Sequence, residues 1–397
     1  MSHIGQETAF EVLVRARALE ATGRSAAPEM TMRIAAIAAL ATIAPATLAA
    51  QDAIITSRAA VQMVSYELTS NGATKWVSQE IVPFAVVVPV GDRFSFDVAT
   101  AWAHSAARID GSKASSIAGL TDTQLRASYT LGEDAVILTA GVNLPTGNST
   151  ADSAQFAAAE NIANDFLLFP IGTMGAGLAT TGGVAVARPF GAWNLGLGAS
   201  FRHSSDFAPY QYGDGQKAHY QPGDEYRARL GVDRTFGASR ATIGATWSGY
   251  GDDRSAGATF NTGNRLVLQG GYETTVRNVG YTLNVWNLTR TQGHRASGQT
   301  APTENIVNAS LGASFTVAGV ALMPTLETRH LTRAAVEADA IYPAQEKGSG
   351  QMETLGLASR WQLGLFQITP AASYSVGTLD RTDLTGWRAM VAVRFTP

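Results

Sequence analysis

The residues able to do chemistry are few. His104, His203, His219, His294 and His330 are the histidines beyond the first fifty positions, and no two of them stand at an HExxH or other metal-ligand spacing. His203-Ser204-Ser205 sets a histidine and a serine two residues apart. On a strand they share a face, as when an imidazole activates a hydroxyl. No polar residue to orient the ring can be picked out from the sequence. With no cysteine, a thiolate metal site, a cysteine nucleophile and a disulfide framework are all excluded. There is no GxSxG and no phosphate loop, so no catalytic residue and no cofactor is assigned. The charged residues are the larger set. Arg126, Arg227, Arg229, Arg265, Arg329, Arg388 and Arg394, with Asp97, Asp233, Glu273 and Glu327, all fall in segments of alternating polarity. Lining a passage, such side chains form an electrostatic filter. Paired with one another, they stiffen a wall, and their mixed signs favour pairing.

The elements that hold these residues follow from composition and period. The chain has 397 residues, 45% hydrophobic and only 15% charged, with a formal charge of −3. A charged share of about 25% is usual for a soluble domain. A weakly negative chain is not a general nucleic-acid binder. Beyond residue 57 strict alternation dominates. In Trp193–Phe201 the odd positions are Trp, Leu, Leu, Ala and Phe, and the even ones Asn, Gly, Gly and Ser. Val307–Val317 and Phe366–Val376 behave alike. Each such segment is a strand with one apolar and one polar face. The apolar faces end in aromatic residues: Trp193 and Phe201, Phe94 and Trp102, Tyr226, Trp387 and Phe395. Aromatic girdles bounding an apolar band mark a transmembrane β-barrel.

Strands are predicted over 58–69, 77–90, 93–104, 121–131, 134–145, 174–188, 191–203, 224–236, 239–250, 264–276, 279–290, 304–317, 320–332, 351–361, 364–377 and 385–396. The fold class is therefore all-β, an antiparallel up-and-down barrel of about sixteen strands, in the range of roughly 14–18. Tight turns such as Gly91-Asp92, Pro189-Phe190, Arg277-Asn278 and Gln362-Leu363 alternate with longer polar loops. Outer-membrane barrels show this asymmetry, with short periplasmic turns. Pro324 and Pro370 fall inside strands, where each is expected to mark a bulge or a strand boundary set elsewhere.

The amino-terminal region reads differently. Residues 1–29 form an extension with no fold signal. Residues 30–50 have the pattern of a secretory signal peptide, with Arg33, an apolar run from Ile34 to Ala44 and a small-residue tract at Ala46–Ala50. The barrel takes residues 51–397, with a long insertion over 146–172. The insertion has helical composition from Asp152 to Leu168 and an Asp/Ser cap signal. Phe156, Ile162 and Phe166 fall on one stripe there and are candidates for a constriction inside the barrel. An external loop with a short helix fits the same residues. Trp387, Ala389, Val391, Val393 and Phe395 alternate outward, like the terminal strand read by the outer-membrane assembly machinery.

Two patches carry a resemblance. Gly119-Leu-Thr-Asp-Thr-Gln-Leu-Arg-Ala-Ser-Tyr129 is followed one hairpin later by Leu138-Thr-Ala-Gly-Val-Asn-Leu-Pro-Thr-Gly147. Together they resemble the outer-membrane proteins associated with phenol meta-pathway degradation, related to barrels that take up aromatic hydrocarbons and fatty acids. The resemblance implies passive passage of small, apolar molecules. His203-x-Ser205 also resembles the His-x-Ser pair of outer-membrane phospholipases. The function expected is thus an outer-membrane channel or passive transporter for small solutes, with the lipid bilayer as its surroundings. The rivals are a closed structural or adhesive barrel presenting loops 205–223, 291–303 and 333–350, and a hydrolase at His203/Ser205.

Overall fold

The computed structural model describes residues 56–395, apart from 133–134, 212–214, 256, 296 and 339–343, with the side chains described from Ala60 onward. The extension and signal peptide expected before residue 51 lie outside the described residues.

Sixteen antiparallel strands follow one another around a closed sheet. They are β1 (Thr56–Ser70), β2 (Ala73–Val90), β3 (Phe94–Ile109), β4 (in two pieces, Ser115–Leu120 and Thr123–Leu131), β5 (Val136–Leu144), β6 (Ala179–Phe190), β7 (Trp193–Ser204) and β8 (Glu225–Phe236). The circuit continues with β9 (Ser239–Tyr250), β10 (Arg265–Val276), β11 (Val279–Arg290), β12 (Glu304–Val317), β13 (Val320–Arg333), β14 (Gly348–Leu363), β15 (Phe366–Leu379) and β16 (Thr382–Phe395). Closure comes from β1 on β16, in register from Arg58↔Arg394 to Thr69↔Asp383. Closure leaves no strand edge, the condition for a sheet that crosses lipid. No helix among the described residues is long and apolar enough to cross a membrane.

Strand parity sorts the side chains as the alternation predicts. On β7 the odd residues Trp193, Leu195, Leu197 and Phe201 are exposed on the outside, and Asn194, Gly196, Gly198, Ser200 and Arg202 face in. Outward aromatic residues form two rings. Trp102, Phe201, Tyr226, Trp247, Tyr374 and Trp387 stand toward the long loops, and Phe94, Tyr129, Phe190, Trp193, Phe236, Tyr272, Tyr281, Trp361 and Phe366 toward the short turns. An apolar belt between two such rings is the lipid-facing surface of an outer-membrane barrel.

Three sequence expectations are corrected. The prolines produce no bulge. Around Pro324 the β12–β13 ladder lapses between Gly312↔Thr325 and Phe315↔Leu322, then resumes in the same register. Pro370 does the same between Ala358↔Ala371 and Trp361↔Ile368, because proline removes one donor without adding a residue. Second, not every connection at the long-loop end is long. β1–β2 turns on Asn71-Gly72 and β15–β16 on Asp380-Arg381, all at positive φ. The polar residues there pair as strand extensions. Third, among the described residues the one helix, α1 (Phe156–Ile162), is far shorter than the helical composition suggested. Asn164 ends it. Its side-chain oxygen accepts from the Phe166 and Leu167 amides and turns the chain. Two further small sheets lie in the loops: Phe207–Gln211, Lys217–Gln221, Asp253–Ser255 and Ala258–Phe260, and the pair Gly293–His294 with Thr300–Ala301.

Candidate functional site

The insertion between β5 and β6 folds into the barrel. β4 prepares its neck. At Thr121-Asp122 the strand breaks and its parity flips, so that Ile117 and Arg126 both face inward. Thr121 bridges the gap, its amide donating to the Ala101 carbonyl at 2.7 Å and its hydroxyl accepting from the Ala101 amide at 3.0 Å. This frees the Asp122 carboxylate. It accepts from the Gly147 amide (3.0 Å), the Ala176 amide (2.7 Å) and the Asn143 side chain (2.8 Å). Outgoing and returning limbs are thereby tied to one residue. Thr146 completes the tie, its hydroxyl bonding the Thr121 carbonyl and accepting from the Thr123 amide. Gly147 has to be glycine, since a Cβ would meet the Met174 carbonyl at 2.2 Å. The two sequence patches, Gly119–Tyr129 and Leu138–Gly147, thus meet at the root of the insertion.

Beyond the neck, the insertion packs on the inner wall. Ala158 and Ile162 of α1 sit against Ala103, Ala107 and Ile117 in one continuous apolar cluster. Phe166, Leu167, Phe169, Ile171 and Met174 join it with Val64, Tyr66, Val77, Ile81, Ile306, Leu331 and Met352 from the wall. Burial of this kind is worth about 1.5–3 kcal/mol per large side chain. Phe166 is 1% exposed and seats over Gly350, whose missing Cβ would lie 3.0 Å from its ring.

Polar side chains of the wall take the backbone groups that the insertion leaves without partners. Gln79, fully buried, donates to the Ile171 carbonyl (2.7 Å) and accepts from the Ile171 amide (3.0 Å). Tyr66 donates to Leu167 (3.0 Å), Arg329 to Phe166 (2.6 Å) and Arg388 to Leu168 (3.3 Å). Leu168 stands at the tip with φ of 50°, a strained setting for a leucine. One charged contact fixes the side of the insertion. Asp165 Oδ2 accepts from Arg265 (2.7 Å) and Arg290 (2.5 Å), and its side chain is only 7% exposed.

The charged candidates all lie at inward parity. Arg126 pairs with Asp97, Arg227 with Glu225, Asp233 with Arg240, and Glu327 with Arg329. Arg229, Arg394 and Glu273 line the same lumen. They form several separate pairs around the wall. Sequence reasoning missed Gln79, Tyr66, Asp122, Asp165 and Arg290. Of these, Asp122 carried a signal through the patch that contains it, and Tyr66 through its place among apolar inward residues of β1. The constriction candidates divide. Ile162 and Phe166 are buried and anchor the insertion without lining an aperture, whereas Phe156 is 52% exposed and meets Tyr210 edge-on at 5.9 Å.

Strands β6–β9 lie opposite the wall strands that hold the insertion. At mid-height the inward positions on β6, β7 and β9 are small or hydroxylic, namely Thr181, Gly183 and Ala185, Gly196, Gly198 and Ser200, Thr242, Gly244 and Thr246, with Asn194, Arg202 and Arg240 toward the strand ends. Toward the short turns, the inward residues Glu273, Ser314, Thr325, Arg360 and Arg394 are exposed to water. On β2 and β3 the inner face below the insertion carries the apolar Pro83 and Ala85 beside Ala101 and Ala99, and ends with Val87 in register with the Asp97 that pairs with Arg126.

His203 does have an orienting carboxylate, since its Nδ1 lies 2.7 Å from Asp224 Oδ1. The pair sits at outward parity on the long-loop rim. Among the described residues the Ser205 hydroxyl forms no hydrogen bond to the ring, and no group of three His, Asp or Glu residues could hold a metal.

No protein-family model matches the chain, and no curated protein matches it. Among solved structures, the outer-membrane protein OmpT of Vibrio cholerae is similar at 10% identity, covering 88% of this chain and 99% of that one, with a TM-score of 0.42. OpdK of Pseudomonas aeruginosa is similar at 11% identity, covering 86% and 98%, with a TM-score of 0.44. An anion-selective porin from Comamonas acidovorans is similar at 14% identity, covering 87% and 100%, with a TM-score of 0.40. The architecture stands on the chain's own closed strand register, and the protein is an outer-membrane β-barrel.

Proposed function

We propose that the barrel is a passive channel for small molecules across the outer membrane, with the insertion setting its aperture. The observation that carries this reading is the seating of the insertion against most of the wall but not against the inward faces of β6–β9. It is bound to the walls of β1–β4 and β10–β16 and faces a β6–β9 wall where small or hydroxylic residues of β6, β7 and β9 flank the charged β8 residues Glu225, Arg227, Arg229 and Asp233. Small side chains on β6, β7 and β9 leave the charged β8 side chains, rather than the insertion, to line that wall. No nucleotide motif supplies energy, so the solute gradient drives passage. The resemblance to phenol meta-pathway barrels extends the proposal to aromatic or apolar solutes. The strip of Pro83, Ala85 and Val87 below the insertion offers such a solute an apolar surface.

Single-channel conductance of the refolded protein in a planar bilayer tests the reading. Steady steps are expected, and they grow when residues 150–174 are replaced by a short Gly-Ser linker that keeps Gly147 and Ala176. Folded protein with no conductance in either form overturns it.

A further inference from the structure

We propose that the outer face of β6–β10 holds the phosphate of an anionic phospholipid at the short-turn rim, with Arg234 as its principal ligand. This inference rests on the placement of the barrel in the membrane and is independent of what passes through it.

Outward positions on these five strands are nearly all apolar or small. Among the described residues below the long-loop rim, the charged ones are Arg188 and Arg234 alone, and both stand toward the short turns. No outward carboxylate on these strands offers either one a partner. Arg234 lies over the Trp193 ring, 5.3 Å from its centroid. Its Nε is covered and, among the described residues, donates to no acceptor. A guanidinium held against an indole keeps its outer N–H groups pointing away from the ring, in the fork that suits phosphate oxygens.

The surroundings form a notch. Arg234 is in register with Trp193 on one side and Ala241 on the other, and Ala241 is in register with Tyr272. The small Ala241 is the floor between two aromatic walls. Phe236 closes the end toward the turn, 6.2 Å from Tyr272 between ring centroids. Hydroxyls line the same edge, with Tyr272 bonded to Ser239 (3.2 Å) and Ser239 to Thr274 (2.8 Å). Phe190, 79% exposed and in register with Trp193, extends the aromatic wall into the lipid.

In lipid the acyl chains supply no acceptor. An arginine on the outer face costs about 2–4 kcal/mol at mid-depth and little near the interface, where headgroups reach it. Two arginines among six aromatic or hydroxylic side chains at one rim match a phosphodiester headgroup with its acyl chains along the apolar strands. The short-turn rim faces the periplasmic leaflet, so the occupant is a phospholipid of that leaflet.

Native mass spectrometry of the full refolded barrel, mixed with phosphatidylglycerol or phosphatidylcholine, provides the test. Wild type is expected to retain phosphatidylglycerol in preference to phosphatidylcholine. Arg234→Gln is expected to lower that retention about ten-fold, as for loss of one charge-assisted phosphate contact. Arg360→Gln, a lumenal arginine at the same end, leaves it unchanged. Arg188→Gln, expected to lower retention as well, serves where Arg234→Gln does not refold. Equal retention by wild type and both outward variants overturns the proposal. So does displacement of the lipid by millimolar inorganic phosphate, which would mark a phosphate site without a lipid requirement. Loss of conductance with lipid retention intact would count against the channel reading alone.

Discussion

The Asp122 carboxylate accepts the Gly147 amide through one oxygen, at 3.0 Å, and the Ala176 amide through the other, at 2.7 Å. One side chain on the wall therefore closes the base of an insertion of some thirty residues. Ordering such a segment costs backbone entropy residue by residue, and a closed base shortens the loop that has to be ordered.

Asp122→Ala is expected to loosen the insertion without opening the barrel. It leaves the Gly147 and Ala176 amides without their acceptor, at about 1–3 kcal/mol each. Hydrogen exchange should rise across residues 145–178 and stay unchanged in β8–β10. Unchanged exchange in the insertion would show that the neck is held elsewhere.

How much of this was legible varies by element. β9, β11 and β12 run as predicted, because period-2 alternation fixes a strand wherever one face meets lipid and the other a polar lumen. The inward seating of the insertion was not legible from its own residues. Phe166-Leu167-Leu168-Phe169 is an unbroken apolar run that follows neither the helical nor the strand period. The usable signal lay in its partner. β2 and β1 carry Val77, Ile81, Val64 and Tyr66 at inward positions, where a water-filled lumen favours polar residues. Apolar residues on both faces of a strand indicate that something covers the inner face. Gln79 was hidden for the opposite reason: a polar residue at an inward position fits an open lumen, and only the structure shows it buried.

Gln79→Leu keeps the volume and removes the amide. The Ile171 N–H and C=O then lose their partners, at about 1–3 kcal/mol apiece. Faster exchange at Ile171 and flickering single-channel current are expected. Gln79→Glu should behave worse at neutral pH, because an ionised carboxylate cannot donate to the Ile171 carbonyl. A quiet channel in both variants would mean that the apolar packing alone holds the segment.

Asp165 is a sharper lever. Removing one partner of a buried ion pair costs about 3–5 kcal/mol, because the remaining charges are left uncompensated. Asp165→Asn leaves Arg265 and Arg290 facing each other across a neutral amide, so the tip should detach and mean conductance should rise. The triple variant Asp165→Asn, Arg265→Gln, Arg290→Gln should recover part of the wild-type value. A triple variant noisier than Asp165→Asn would refute the electrostatic account.

The loop sheet responds to acid in a defined direction. Burial raises the Asp253 carboxyl above its ordinary range, and the Gly223 amide and Tyr220 hydroxyl offset this only in part. Burial and the nearby Asp253 charge push Tyr220 upward as well. A carboxyl raised on folding contributes stability that is full below its unfolded pKa and lost as pH rises through the folded one. The sheet of Phe207–Gln211, Lys217–Gln221, Asp253–Ser255 and Ala258–Phe260 should therefore be better protected near about pH 4 than at pH 7, once intrinsic exchange rates are divided out. Asp253→Asn, neutral at both values, should flatten that difference. Protection that falls on acidification, or a variant as pH-dependent as wild type, would refute the assignment to Asp253.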